Sequence, residues 1–147
     1  MKNRADENVS IRLVQAIRAL GVRPGWELSH VREYHGPSTT DETWLPHFAR
    51  EGGIAMISAD GRIFKKPHQL VAIRESGLVS IILADAWVQS KKYEQAANLI
   101  FWWPKIEAVL ENAKPGDCWR IPFKFDKKLD LQYKKIDYDK AVRAVGQ

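Results

Sequence analysis

The chain has 147 residues, 45% of them hydrophobic and 28% charged, which are the length and composition of one globular domain with its own core. Its single cysteine, Cys118, excludes an internal disulfide framework. The sequence has no apolar run of about 18 residues, and no apolar signal core follows Met1–Arg4. We therefore predict a cytoplasmic protein without a membrane span. The formal net charge of +5 favours a polyanionic partner.

The positive charge is concentrated at the end of the chain. Residues 124–147 contain seven Lys or Arg and four Asp, a net of +3, whereas the first 123 residues contain sixteen Lys or Arg and fourteen acids, a net of +2. We therefore predict one domain over 1–123 and a basic, partly disordered tail over 124–147, with a short helix over 139–145.

The first predicted elements are a short strand before Asp6 and an amphipathic helix over 9–20, whose apolar residues recur at helical spacing. Either Asn8 or Ser10 can cap the start of this helix. Alternating apolar and polar residues then predict a half-buried strand over 26–31.

The middle of the chain repeats the strand and helix pattern. A helix is predicted over 41–50, and the continuous apolar run 54–57 is typical of a strand buried on both faces. A third helix over 67–75 and a second buried strand over 79–83 follow. Strands that alternate with helices favour a mainly parallel sheet.

The last elements are a long helix over 90–112, with a kink or break expected near Pro104, and a strand over 119–123. Pro122 predicts that this strand lies at an edge of the sheet, because proline cannot donate a ladder hydrogen bond. The whole pattern predicts an α/β fold with three layers, α/β/α, around a mainly parallel sheet of four to five strands.

Acidic residues stand at several junctions between strands and helices. Asp6, Asp60 and Asp85 each end a predicted strand, and Asp41 opens a helix. Such ends gather at the carboxyl edge of a parallel sheet, so we expect the acids to share a pocket. Converging carboxylates repel one another unless a cation neutralises them, and a hard cation such as Mg²⁺ or Mn²⁺ prefers oxygen ligands.

Each of these residues also has an ordinary interpretation. Asp41 can be an acid favoured by the helix dipole, and Asp60 with Gly61 can form a simple turn. Ser58 can bind a phosphate or a metal-bound water, or serve only as a turn hydroxyl. Basic residues that follow the acids can hold phosphates or lie on a solvated surface: Arg12, Arg62, Lys65 and Lys66.

Aromatic residues on the helical runs have two interpretations. Trp44, Trp102 and Trp103 are typical of a core, although Phe101, Trp102 and Trp103 beside Pro104 also form a candidate surface for a homodimer or another partner. The four scattered histidines and one cysteine do not have zinc-ligand spacing.

Several segments resemble the PIN-like domains, over about residues 5–115: Asp6-Glu7-Asn8-Val9, Leu20-Gly21, His30-Val31-Arg32-Glu33, Asp41-Glu42-Thr43-Trp44-Leu45 and Ile57-Ser58-Ala59-Asp60. The pattern is similar to that of small single-domain PIN-like proteins of prokaryotes that are grouped with toxin ribonucleases of toxin–antitoxin modules. Two departures are a first strand, Lys2–Ala5, that is less apolar than usual, and a Gly after Asp60 where many relatives have Phe.

The resemblance implies a PIN-like fold and a Mg²⁺- or Mn²⁺-dependent endoribonuclease that hydrolyses single-stranded RNA, the toxin partner of an antitoxin protein. By the same resemblance, Asp6, Asp41 and Asp60 are catalytic and metal-binding, and Asp85 is a further metal ligand. The implied substrate-binding residues are Asn8, Arg12, Ser58, Arg62 and Lys65.

Two other functions fit parts of the pattern. One is a non-catalytic PIN-like module that binds RNA through its basic tail. The other is a phosphorylation-receiver domain, which needs a lysine after the fifth strand; the nearest candidate, Lys105, stands instead inside a helical run.

Overall fold

A computed structural model describes residues 1–146 as one α/β unit, and Gln147, the end of the predicted tail, lies outside the described residues. The strands are β1 Lys2–Ala5, β2 Glu27–His30, β3 Gly53–Ser58, β4 Val79–Leu83, β5 Cys118–Ile121 and β6 Gln132–Lys134. The helices are α1 Ile11–Leu20, α2 Asp41–Arg50, α3 Pro67–Ser76, α4 Ala86–Gln89, α5 Lys92–Asn112 and α6 Tyr138–Val145. Short 3₁₀ turns lie at Val31–Glu33 and Gly61–Lys65.

The strands form one sheet in the order β2-β1-β3-β4-β5-β6. The first five strands are parallel, and β6 is antiparallel to β5. The predicted mainly parallel α/β fold is therefore confirmed, with one strand more than expected. The prediction that the fifth strand is an edge was wrong, because β5 pairs with β4 on one side and β6 on the other, and Pro122 lies just beyond its last residue.

Helices cover both faces of the sheet and enclose a core on each. The larger core packs α1 and α5 against one face, and the smaller packs α2 and α3 against the other. This arrangement makes the three layers, and it places the starts of α1, α2 and α3 near the carboxyl edge of the sheet, since each follows a parallel strand.

The polar strand β1 lies inside the sheet, between β2 and β3. Arg4 is 2% exposed, and its Nε donates to Ser29 Oγ at 2.8 Å. Its guanidinium lies 4.0 Å from the ring centroid of Tyr34 and 4.4 Å from that of Phe48. Hydrogen bonding and cation–π contacts thus allow a sequence of low apolar content to form an interior strand.

The long predicted helix is divided, but not at its proline. α4 ends at Gln89, and α5 then continues without interruption through Pro104. Trp102 and Trp103 are buried in the core, so only Phe101, which is 61% exposed, remains available for the hypothesis of a partner surface. Among residues 1–146, no helix has the length and apolarity needed to cross a membrane.

Residues 124–146 contain β6 and α6. Asp137 caps α6 by accepting from the backbone N–H of Lys140 at 2.9 Å. The Tyr138 hydroxyl donates to the carbonyl oxygen of Gly116 at 2.8 Å, and Arg74 of α3 pairs with Asp139 of α6 at 3.0 Å. α6 is therefore fixed beside α3, on the face of the smaller core.

Candidate active site

Asp6 follows β1 directly and lies at the carboxyl edge of the sheet. Its backbone N–H donates to the Ile57 carbonyl at 2.9 Å, which continues the ladder between β1 and β3. The side chain is buried, at 3% exposure, and its Oδ1 accepts from the backbone N–H of Asn8 at 2.9 Å. Burial raises the pKa of Asp6 from 3.8 to about 7, against the opposing effect of hydrogen bonds from Ser58 and Asn8.

Ser58 is the last residue of β3 and is fully buried. Its Oγ accepts from the backbone N–H of Asp60 at 3.1 Å, and the hydroxyl lowers the pKa of the Asp6 carboxyl. The hydrogen bond to Asp60 agrees with the turn interpretation of this serine, and its role in binding phosphate or a metal-bound water stays a prediction.

Asp41 opens α2 and is half-buried beside Asp6. Its negative charge contributes to the raised pKa of Asp6, so the two carboxylates repel each other electrostatically. Burial also raises the pKa of Asp41 itself, opposed by a hydrogen bond that Trp44 Nε1 donates to Oδ1 at 3.0 Å. The result is a pair of partly desolvated carboxylates on two different elements.

Asp60 is held by basic neighbours. Arg62 donates to Oδ1 through its backbone N–H at 3.0 Å and its Nε at 2.9 Å, and Lys66 Nζ lies 3.7 Å from Oδ2. These hydrogen bonds lower the pKa of Asp60, led by the Arg62 side chain. The charge of Asp60 also acts on Asp41, so the two acids share one region of the edge.

Asp85 is exposed and contacts the neighbouring turn. A Cβ added to Gly61 would lie 3.0 Å from Asp85 Oδ1, so the carboxylate of Asp85 is placed against the residue that follows Asp60.

The loop between β1 and α1 is fixed from several sides. Ser10, rather than Asn8, caps α1, by accepting from the Arg12 backbone N–H at 3.2 Å. His30 is buried, and its Nε2 donates to the Val9 carbonyl at 2.7 Å while Nδ1 accepts from the Arg32 backbone N–H. Asn8 supports the Asp6 carboxylate through its backbone and its side chain.

Glu7 has a separate role, because its Oε1 accepts from the backbone N–H of Ser38 at 2.6 Å. Ser38 lies in the loop before α2 and has a positive φ of 61°. Glu7 therefore fixes the loop before α2.

The basic side chains that were predicted to bind substrate lie on both sides of the acids. Arg12 lines a depression of about 470 Å³ with Ser10, Lys92 and Tyr93, at the starts of α1 and α5. Lys65 lines a groove of about 500 Å³ on the opposite face of the sheet. Arg62 lines neither of them and is paired with Asp60.

The donor chemistry suits a hard divalent cation. Asp6, Asp41 and Ser58 offer only oxygen atoms, and Mg²⁺ is commonly bound by one or two carboxylates together with substrate phosphates. Within residues 1–146, no group of three or more His, Cys, Asp or Glu side chains is arranged to hold a metal. The residues therefore fit a site of two carboxylates completed by substrate, with the Asp60 oxygens engaged by Arg62 and Lys66.

Several contributing residues were not predicted as part of the site. The indole of Trp44 was expected in the core, although its spacing of three residues from Asp41 on one helix could have indicated the hydrogen bond. His30 reaches Val9, and Lys92 and Tyr93 reach Arg12, only through folding, because these residues are distant in sequence from their partners.

The sequence profile of the family described as a PIN like domain matches residues 1–85, more than half of the chain, and this range contains all four acids. No curated protein and no solved structure matches the chain. The six-stranded, mostly parallel α/β architecture agrees with this assignment. The chain belongs to the PIN-like domain family, whose members are generally nucleases.

Proposed function

We propose that this protein is a Mg²⁺- or Mn²⁺-dependent endoribonuclease that hydrolyses phosphodiester bonds of single-stranded RNA and acts as the toxin of a toxin–antitoxin pair. The observation that carries the proposal is the pair of neighbouring carboxylates Asp6 and Asp41 at the carboxyl edge of the sheet, both with raised pKa values. Membership of the PIN-like family and the net charge of +5 support it.

The raised pKa values of Asp6 and Asp41 indicate that ionising both carboxylates is unfavourable without a cation. A buried and a half-buried carboxylate that repel each other are costly when both are ionised, and a divalent cation between them removes that cost. Asp6 and Asp41 are the residues that would hold the cation. Such a cation, when bound, activates water and stabilises charge on the phosphate.

The remaining residues orient the pair and the substrate. The backbone N–H of Asn8 donates to Asp6 and the Trp44 indole donates to Asp41, so each carboxylate is held by its own donor. Asp60 holds Arg62 and Lys66 at the mouth of the site, where their positive charges can bind the phosphates that flank the cut. Arg12 extends this positive surface on the side of α1.

The test is cleavage of a labelled single-stranded RNA with Mn²⁺ or Mg²⁺, with and without EDTA. We expect Asp6→Asn and Asp41→Asn each to lower the cleavage rate at least 100-fold, since metal-held water and charge stabilisation contribute several kcal/mol to such reactions. Glu75→Gln, an exposed carboxylate change on α3, is the matched control and should cut at the wild-type rate. Wild-type protein that cuts no RNA with either metal, while still binding it, would establish the non-catalytic RNA-binding function instead.

The toxin role has its own test. Expression of the wild-type protein should arrest growth, and expression of Asp6→Asn at equal level should not. Growth arrest that persists in Asp6→Asn would contradict a toxin that acts by cutting RNA. The receiver alternative is disfavoured because Lys105 donates to the backbone carbonyls of Lys127 and Leu129 and is engaged in holding that loop.

A further inference from the structure

The groove lined by Lys65 has its other wall in the C-terminal segment, beyond the region that the family profile matches. Lys65, Pro67 and Leu70 form one side, and residues from 134 to 144 form the other. The ion pair between Arg74 and Asp139 and the hydrogen bond from Tyr138 to Gly116 hold these walls in place. The groove of about 500 Å³ is therefore a built feature of this chain, formed by the packing of α6 on α3.

The groove is strongly cationic. Four lysines line it, and none takes part in an ion pair among residues 1–146: Lys65, Lys134, Lys135 and Lys140. The lining holds one acid, Asp137, which caps α6, so the lysines leave a net positive charge of three. This excess of positive charge is complementary to a polyanion.

The floor of the groove adds an aromatic surface. Phe64 is partly buried, and the ammonium of Lys134 lies 4.7 Å from the centroid of its ring. Cationic side chains beside an aromatic ring are the combination that binds single-stranded nucleic acid, with phosphates on the lysines and a base against the ring.

The groove begins one residue away from an ion pair of Asp60. Lys65 lines the groove, and the Nζ of the next residue, Lys66, lies 3.7 Å from Asp60 Oδ2. The cationic groove and the predicted acidic residue are therefore adjacent along the chain.

We propose that the groove between α3 and α6 binds the single-stranded RNA beyond the cleavage site, with Lys134 and Lys135 on its phosphates and Phe64 against a base. This inference rests on the proposed ribonuclease function for the identity of the polyanion. On this inference, the C-terminal segment binds substrate.

The experiment measures binding separately from cleavage. A fluorescently labelled single-stranded RNA is titrated in EDTA, and its anisotropy gives the affinity at several salt concentrations. Because each phosphate contact to a single strand contributes about 0.7 to the slope of log affinity against log salt, the Lys134→Gln/Lys135→Gln variant should lower the slope by about 1.4 and the affinity at 0.1 M salt roughly 25-fold. Lys127→Gln/Lys128→Gln removes the same charge from the exposed loop before β6 and should leave the slope unchanged.

A second pair of variants addresses the opposite wall and the floor. Lys65→Gln should lower the slope by about 0.7, and Phe64→Leu should weaken binding without changing the slope, since stacking does not release counterions. Thermal melting of every variant shows that the fold is kept.

The possible outcomes distinguish a failure of the groove inference from a failure of the ribonuclease proposal. If Lys134→Gln/Lys135→Gln and Lys127→Gln/Lys128→Gln bind with the same slope and affinity, the groove inference is overturned, whether or not the protein cuts RNA. If the groove variant loses binding while wild-type protein cuts nothing with Mn²⁺, the groove inference stands and the nuclease proposal fails. An acidic peptide of ten Glu that displaces RNA at lower concentration than unlabelled RNA of ten nucleotides would overturn RNA as the occupant in favour of an acidic protein segment.

Discussion

Asp6 is a buried acid whose folded pKa, about 7, lies above its ordinary value of 3.8. Between about pH 4 and pH 7 the folded state therefore keeps a proton that the unfolded state has lost. The free energy of unfolding falls as pH rises through this window, by on the order of 4 kcal/mol for the full shift.

Asp6→Asn should remove this dependence and make the protein more stable than wild type at pH 8 in EDTA, because no buried charge then has to be desolvated. Urea unfolding at pH 5 and pH 8 measures the effect. Asp60→Asn is the control: the Arg62 hydrogen bond lowers the pKa of Asp60, so its contribution to stability is fully present at both pH 5 and pH 8, and this variant should keep the wild-type change between the two pH values. A variant Asp6→Asn with the same pH slope as wild type would disprove the role assigned to burial.

The Trp44 indole hydrogen bond to Asp41 should be visible in the pH profile of cleavage. Trp44→Phe removes the donor that opposes the raised pKa of Asp41, so the profile should shift to higher pH. Trp87→Phe is the matched control, because Trp87 is equally buried and donates its Nε1 to the Ile121 carbonyl. Both variants should lose roughly 1–3 kcal/mol of stability, but only Trp44→Phe should move the profile.

At the residue scale, the sequence indicated which acids are candidates for the site, but not which side chains contact them. Asp6, Asp41 and Asp60 could be identified because each stands at a junction between strand and helix, and the structure places them at one edge. The ion pairs of Asp60 with Arg62 and Lys66 could not be predicted, because they depend on which side-chain rotamers of these residues the turn at Gly61–Lys65 allows.

At the element scale, the strongly patterned segments were predicted closely. The bounds of α2 and β4 agree with the predicted ones, because each has a clear apolar face or an unbroken apolar run. β6 was not predicted, since Gln132–Lys134 is exposed at an edge and has no apolar period to reveal it. Its position follows only from pairing with β5.

Gly53, the first residue of β3, is required by packing. A Cβ at this position would lie 2.5 Å from the Phe48 ring, which is fully buried and cannot move aside. Gly53→Ala should lower the free energy of unfolding by about 1–3 kcal/mol, as measured by urea unfolding. Gly36→Ala, at a glycine whose Cβ would meet nothing within 4 Å, should change stability by less than about 1 kcal/mol.

Pro104 illustrates how packing overrides local preference. α5 continues through it because buried residues on both sides, Leu99 and Trp102 before it and Ile106 and Leu110 after it, hold the helix on the larger core. The backbone hydrogen bond that proline cannot make is a local cost of up to about 3 kcal/mol. Pro104→Ala should therefore raise the free energy of unfolding, and thermal unfolding that shows a lower Tm would refute this account.

At the scale of the whole molecule, Cys118 reports whether the C-terminal segment is packed. The thiol is 1% exposed on β5, and burial raises its pKa to about 12. It should react with a thiol reagent at pH 8 only after the segment opens. Tyr138→Ala, which removes the hydrogen bond to Gly116 and apolar packing near the thiol, should speed the reaction at least ten-fold, whereas Tyr93→Ala, at a residue 78% exposed, should not.

The pairing of β6 with β5 also has a consequence for synthesis on the ribosome. Since Gln132–Lys134 follows the rest of the sheet in sequence, β5 has an unpaired edge until these residues emerge. An open parallel sheet edge is a template for association between nascent chains. β6, a short strand, closes that edge, so the nascent chain is most prone to aggregate before Gln132–Lys134 has paired with β5.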